Sequence, residues 1–209
     1  MTRLIFVFAA LLAIASGCGP GETEPAEQAT DAKAKADTTP APSDAGTTAK
    51  ERALAAKNAL FTKLSSRLVE AMSSGGPAAA IQVCSQDAVK IAAVVSESQG
   101  VRIGRTSFKL RNPRNAPPEW TVPFVEQRVA EPQFVELPDG NTGALLPIKL
   151  QTACLACHGP EDTIASDVKA KLAELYPEDQ ATGFHDGDLR GWFWVEVPAS
   201  NDATDTAKQ

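Results

Sequence analysis

Imidazole is scarce in this 209-residue chain, which has two histidines, His158 and His185. A zinc centre needs more ligands than that beside a cysteine pair, so the composition argues against one. Basic charge is short as well. The formal net charge is −6 and no stripe of Lys and Arg is interleaved with aromatics, so nucleic acid is not an expected partner. The apolar run from Leu4 to about Ala15 is too short to cross a bilayer. Between Gly19 and Lys50, Val, Ile, Leu, Met and the aromatics are missing altogether. Such a stretch cannot bury enough surface to offset the entropy of ordering it. No internal repeat runs through the chain, which argues against a solenoid.

What is present begins with a leader. Arg3 precedes the apolar run, and Ala15-Ser16-Gly17-Cys18 closes it with small residues. This has the plan of an export signal and resembles a bacterial lipobox, in which Cys18 carries diacylglycerol after cleavage. The alternative is a plain signal peptide. Gly19 does not resemble an inner-membrane retention signal, so the expected location is the periplasmic side of a membrane, with the outer membrane favoured. Residues 19–50 then form a disordered tether spanning about 30 Å. A domain is expected over 51–198 and a short tail over 199–209.

Within the domain, Leu54, Phe61, Leu64, Leu68 and Met72 recur at helical spacing, which predicts an amphipathic helix over 51–73 ending at Gly75-Gly76. Pro77 suits the first turn of a second helix and Gly100 its exit. The second apolar stripe is Ile81, Cys84, Ala88, Ile91 and Val95, which turns Cys84 toward the core. Beyond Gly100 the pattern changes to strands. Residues 134–137 and 144–148 flank the turn Pro138-Asp139-Gly140-Asn141 as a hairpin, with Pro147 arguing for an edge position. A short helix fits 165–175, and Phe193, Val195 and Val197 line a last strand over 190–197. Two helices followed by strands around one short helix make the fold α+β.

Cys154-Leu155-Ala156-Cys157-His158 is the attachment signature of c-type haem. Two thiols at this spacing can add to the two vinyl groups of one porphyrin, and the next side chain then supplies an axial imidazole. A thioredoxin-like CxxC should follow a strand in a βαβ unit, and that pattern is missing. With Cys18 assigned to lipid and two cysteines to haem, Cys84 is left over. It is either a small core residue or an iron ligand opposite His158. His185, in an Asp/Gly turn, and Met72, on a helix stripe, are the competing candidates. Arg105, Lys109 and Arg111, with Arg114, form a cationic cluster suited to haem propionates or simply to solvent. Trp120, Trp192 and Trp194 are candidates for the walls of a haem pocket, although aromatics at strand spacing usually serve the core.

Five blocks in order carry a family resemblance. They are Ala80-Ile81-Gln82-Val83-Cys84, the stretch from Arg105 to Pro117, Cys154-Leu155-Ala156-Cys157-His158-Gly159, Ala181-Thr182-Gly183-Phe184 and Gly187-Asp188-Leu189-Arg190-Gly191. In these the chain resembles the single-haem c-type cytochromes with a PAS-like fold and His/Cys axial ligation, formerly a domain of unknown function. The resemblance implies a PAS-like antiparallel sheet, one covalent haem c, His158 as proximal ligand and Cys84 as distal ligand.

A thiolate donates strongly to ferric iron and lowers the reduction potential, and six-coordinate iron leaves no free site for enzymatic oxygen chemistry. A non-enzymatic role is therefore expected. If the thiolate is protonated and released on reduction, the vacated position can take CO or NO. The expected function is a low-potential redox or gas-responsive haem module that signals to a separate protein partner. The alternative is a membrane-tethered periplasmic electron carrier.

Overall fold

The structure, a computed structural model, describes residues 47–199. The leader, Cys18, the tether as far as residue 46 and the tail beyond Ala199 lie outside the described residues. The last residues assigned to the tether instead open the first helix. Helix α1 (Ala49–Gln99) is capped by Thr48, whose side chain accepts from the Glu51 amide while Glu51 reaches back to the Thr48 amide. It is broken at Gly76, where φ is 74° and ψ −176°, and Pro77 starts its second arm. Two helices are therefore present, as the Gly-Gly-Pro punctuation predicts. Their arms fold back as a hairpin, since Arg67 Nε lies 3.0 Å from Asp87 Oδ2 and Arg52 Nη2 donates to the Gly100 carbonyl at 3.3 Å.

The second arm buries the expected stripe, with Ile81, Ala88 and Val95 each at most 5% exposed. The first arm does not. Leu54 is 36% and Phe61 48% exposed, whereas Ala53, Ala56 and Leu60 are fully buried. The reason is steric: alanines let the helix approach closely, and this face packs on the sheet through Val195, Val197 and Ala144.

The sheet comprises β1 (Arg102–Thr106), β2 (Gln133–Glu136), β3 (Thr142–Lys149) and β4 (Leu189–Val197), in the order β1-β4-β3-β2 with every pair antiparallel. The fold is thus α+β. Phe193, Val195 and Val197 face the helical hairpin as their alternation predicts. Pro147 is not on an outer strand. It lies in β3 opposite Trp192 of β4, past Leu145, where pairing with the short β2 ends, so it takes no bond from the β2 ladder. On the opposite face of the sheet, Trp192 and Leu145 pack with Val125 of α2 (Val122–Glu126), and Trp120 and Trp194 join them. The three tryptophans therefore serve this second core.

Two further helices complete the frame, the single turn α3 (Leu155–His158) and α4 (Ser166–Leu175), the latter as expected. Val168 and Leu172 of α4 pack on Ile81 of the second arm. Gly191 (φ 153°) is where the end of β1 crowds β4, and a Cβ there would collide with the Thr106 carbonyl. Gly191→Ala should therefore cost about 1–3 kcal/mol, read as a lowered urea midpoint.

Candidate functional site

Cys84, Arg105, Arg111, His158, Tyr176 and Arg190 line one cavity of about 280 Å³ between the helical hairpin, β1 and the turn that carries His158. His158 and Cys84 both line it. The His158 side chain comes from α3, so short that its exit is a single bond from the Gly159 amide to the Leu155 carbonyl at 2.9 Å. Cys154 and Cys157, both free thiols and half-buried, flank the same turn. They lean on different apolar clusters: Cys157 on the Ile81–Val168 cluster, Cys154 on Leu150, Ala181 and Phe184.

The orientation of His158 is fixed by its second nitrogen. Nδ1 donates to the Ala181 carbonyl at 2.7 Å, which leaves Nε2 as the ring's free lone pair. Burial, reinforced by the charges of Arg111 and Arg190, pushes its pKa down to about 3. The imidazole is therefore neutral and able to bind a metal at neutral pH. The strand of loop that holds it is itself zipped to the motif, through the Gly183 amide on the Gly159 carbonyl (2.8 Å) and the Phe184 amide on the His158 carbonyl (3.0 Å).

Arg111 clamps these two segments together. Its Nε donates to Asp179 Oδ2 at 3.0 Å, and Nη2 donates to the carbonyls of Cys157 and Ala181 at 2.5 and 3.2 Å. Both side chains of the pair are nearly buried, at 11% and 10% exposed. Asp179 also accepts from the Ala181 amide at 2.8 Å, so one ion pair fixes the carbonyl that orients His158.

The cationic cluster is redistributed relative to the sequence expectation. Arg105 and Arg111 line the cavity, with Arg114 exposed at its rim. Lys109 does not line it. Its Nζ donates to the Thr182 carbonyl at 2.6 Å and sits 4.9 Å from the Phe184 ring, which makes it a fastener of the 181–184 loop. Its place is taken by Arg190, which donates to Ser107 Oγ (2.7 Å) and the Lys109 carbonyl (3.0 Å) and is lowered to about 10 by burial and the nearby Arg111 and Arg105 charges. Arg190 sits in an apolar strand, and that isolation, together with its place in the block from Gly187 to Gly191, was the available signal. Tyr176, just past α4, was likewise overlooked because one tyrosine after a helix has no local pattern.

Among the three distal candidates, Cys84 alone lines the cavity. The His185 side chain is 76% exposed beside Asp188, and Met72 is half-buried elsewhere on the first arm. Cys84 faces the cavity and not the sealed core. Burial pushes its thiol up, opposed by the charges of Arg105 and Arg111.

The donor set fits a haem. It offers a neutral imidazole with a free Nε2, a sulfur on the same cavity, two thiols on the motif turn and guanidinium groups suited to carboxylates. At about 280 Å³ the cavity is at the low end for a cofactor, so it would enclose part of a macrocycle.

A family model described as Tll0287-like matches residues 26–198. Among solved structures, the cyanobacterial heme-protein Tll0287 is similar, with 24% identity and a TM-score of 0.52 over 70% of this chain and 95% of that one. No curated protein matches the chain.

Proposed function

Because the chain belongs to the Tll0287-like family, we propose that it is an exported, non-enzymatic protein carrying one covalent haem c on Cys154 and Cys157. The observation that carries this reading is the meeting of His158 and Cys84 on one cavity beside the two motif thiols. When bound, haem supplies one-electron redox chemistry and, at an open position, affinity for CO or NO. The chain's own residues do the rest. His158 offers Nε2 as proximal ligand while Ala181 holds its Nδ1 proton. Cys84 would offer the second sulfur ligand, whose negative charge would favour the oxidised state and a low potential. Arg190 would pair with a propionate, while Arg111 holds the motif turn in place.

The preferred role is a low-potential redox or gas-responsive module, in which Cys84 Sγ would hold the oxidised iron as a thiolate and, as a neutral thiol, would be a poor ligand to the reduced one once a partner protein had supplied an electron. Cys18 would carry the lipid that tethers the domain on the periplasmic side of a membrane, the outer membrane by preference. The test compares ferric absorption and electron paramagnetic resonance spectra of haem-loaded protein with those of Cys84→Ser. A low-spin thiolate signature that disappears in the variant supports His/Cys ligation, and identical spectra would remove Cys84 from the iron. Reduced protein that binds CO after losing the sulfur fits the responsive role; refusal of CO favours a membrane-tethered electron carrier.

A further inference from the structure

Two donors on the cavity have nothing to donate to. The Arg105 side chain, on β1, makes no hydrogen bond or ion pair with any described residue, although those of Arg111 and Arg190 beside it do. Tyr176 is 6% exposed, and its hydroxyl likewise has no partner among the described residues. Buried polar side chains in folded proteins are nearly always hydrogen-bonded. Yet no side-chain nitrogen or oxygen is both sealed from solvent and unbonded in the described residues, so these two groups open onto the cavity they line. What satisfies them must come from the cavity.

They line it together with Cys84. Tyr176 packs with Ile81, one helical turn before Cys84 on the same stripe of the second arm. The groups also feel one another electrically: the Cys84 sulfur and the Arg111 and Arg105 charges all act on the Tyr176 hydroxyl. Burial first, and then the Cys84 sulfur, lift that hydroxyl to about 12, so it keeps its proton at neutral pH and remains a donor. Arg105 has donors only, in a fixed planar fork.

We propose that Tyr176 and Arg105 form a donor pair reserved for an acceptor in the cavity they share with Cys84, selecting anionic, hydrogen-bond-accepting iron ligands over carbon monoxide. Once the sulfur withdraws, the same two groups grip whatever replaces it, and they grip an anion far better than a neutral, weakly accepting diatomic. The inference rests on the haem reading above and adds to it the class of ligand the open position would prefer.

The test uses haem-loaded full chain in a Cys84→Ala background, so that sulfur no longer competes. Cyanide affinity of the ferric form and CO affinity of the ferrous form are titrated in Cys84→Ala alone, with Tyr176→Phe and with Arg105→Met. Loss of a hydrogen bond to a charged acceptor should weaken cyanide about tenfold or more in each double variant and leave CO within about twofold. Tyr176→Phe removes a single oxygen, so it answers the question even if Arg105→Met does not fold. Unchanged cyanide affinity would overturn the donor pair, and so would an equal loss of both ligands, which reports a damaged cavity. A chain that never loads haem sinks the haem reading and this inference together. Cyanide binding to the parent as tight as to Cys84→Ala removes Cys84 from the iron, while the comparison of the double variants still decides the donor pair.

Discussion

Replacing Cys154 and Cys157 together by alanine should abolish covalent haem completely: the denatured protein should give no haem stain on a gel and show no haem-adduct mass. Each single replacement should leave one thioether and therefore a stained but altered product. The expectation rests on how the two thiols are held. They sit on one short turn yet lean on separate apolar clusters, one built from Ile81 and Val168 and the other from Leu150, Ala181 and Phe184. Each sulfur is thus anchored independently of the other, and both are free thiols. His158 follows within the same turn, so a macrocycle attached through both sulfurs is delivered to Nε2 with little further ordering. A double variant that still retained haem through denaturation would mean that the motif is not the attachment site.

The motif stands out in the sequence because the chemistry it suggests is local, carried by three side chains within five residues, and the structure adds that His158 shares a cavity with Cys84. The hairpin of β2 and β3, the helix α4 and the alternation of Phe193, Val195 and Val197 were legible for the same reason. What failed depended on contacts between distant segments. On the first arm of α1, two faces were apolar enough to be the core. The larger side chains at Leu54 and Phe61 drew the prediction, and the alanines won because the sheet comes close to the helix. Lys109 and Arg190 exchanged roles for a comparable reason. In the sequence Lys109 stands among arginines, but the loop 181–184 folds over it and takes its ammonium. Arg190 stands alone in an apolar strand, and only the pairing of β1 with β4 brings it beside Arg105 and Arg111.

Asp179→Ala should be the most damaging single replacement outside the motif, lowering unfolding free energy by about 3–5 kcal/mol, because removing one member of a buried ion pair strands the other. The pair is nearly closed to solvent on both sides, so water cannot readily take over from the carboxylate. The loss would also propagate. Asp179 holds the Ala181 amide, Arg111 holds the Ala181 carbonyl, and that carbonyl is the acceptor for His158 Nδ1. Freed of both restraints, the imidazole should sample several orientations, and the low-spin ferric resonance should broaden in haem-loaded protein. Asp179→Asn is the intermediate case. Its single oxygen can serve Arg111 Nε or the Ala181 amide but not both, so it should narrow the resonance only in part and regain only part of the stability. Urea midpoints and spectra of the three proteins measure both effects together. If Asp179→Ala costs less than about 1 kcal/mol, the pair behaves like a solvent-exposed one, and the orientation of His158 must be set by the backbone zipper from Gly159 to Phe184 alone.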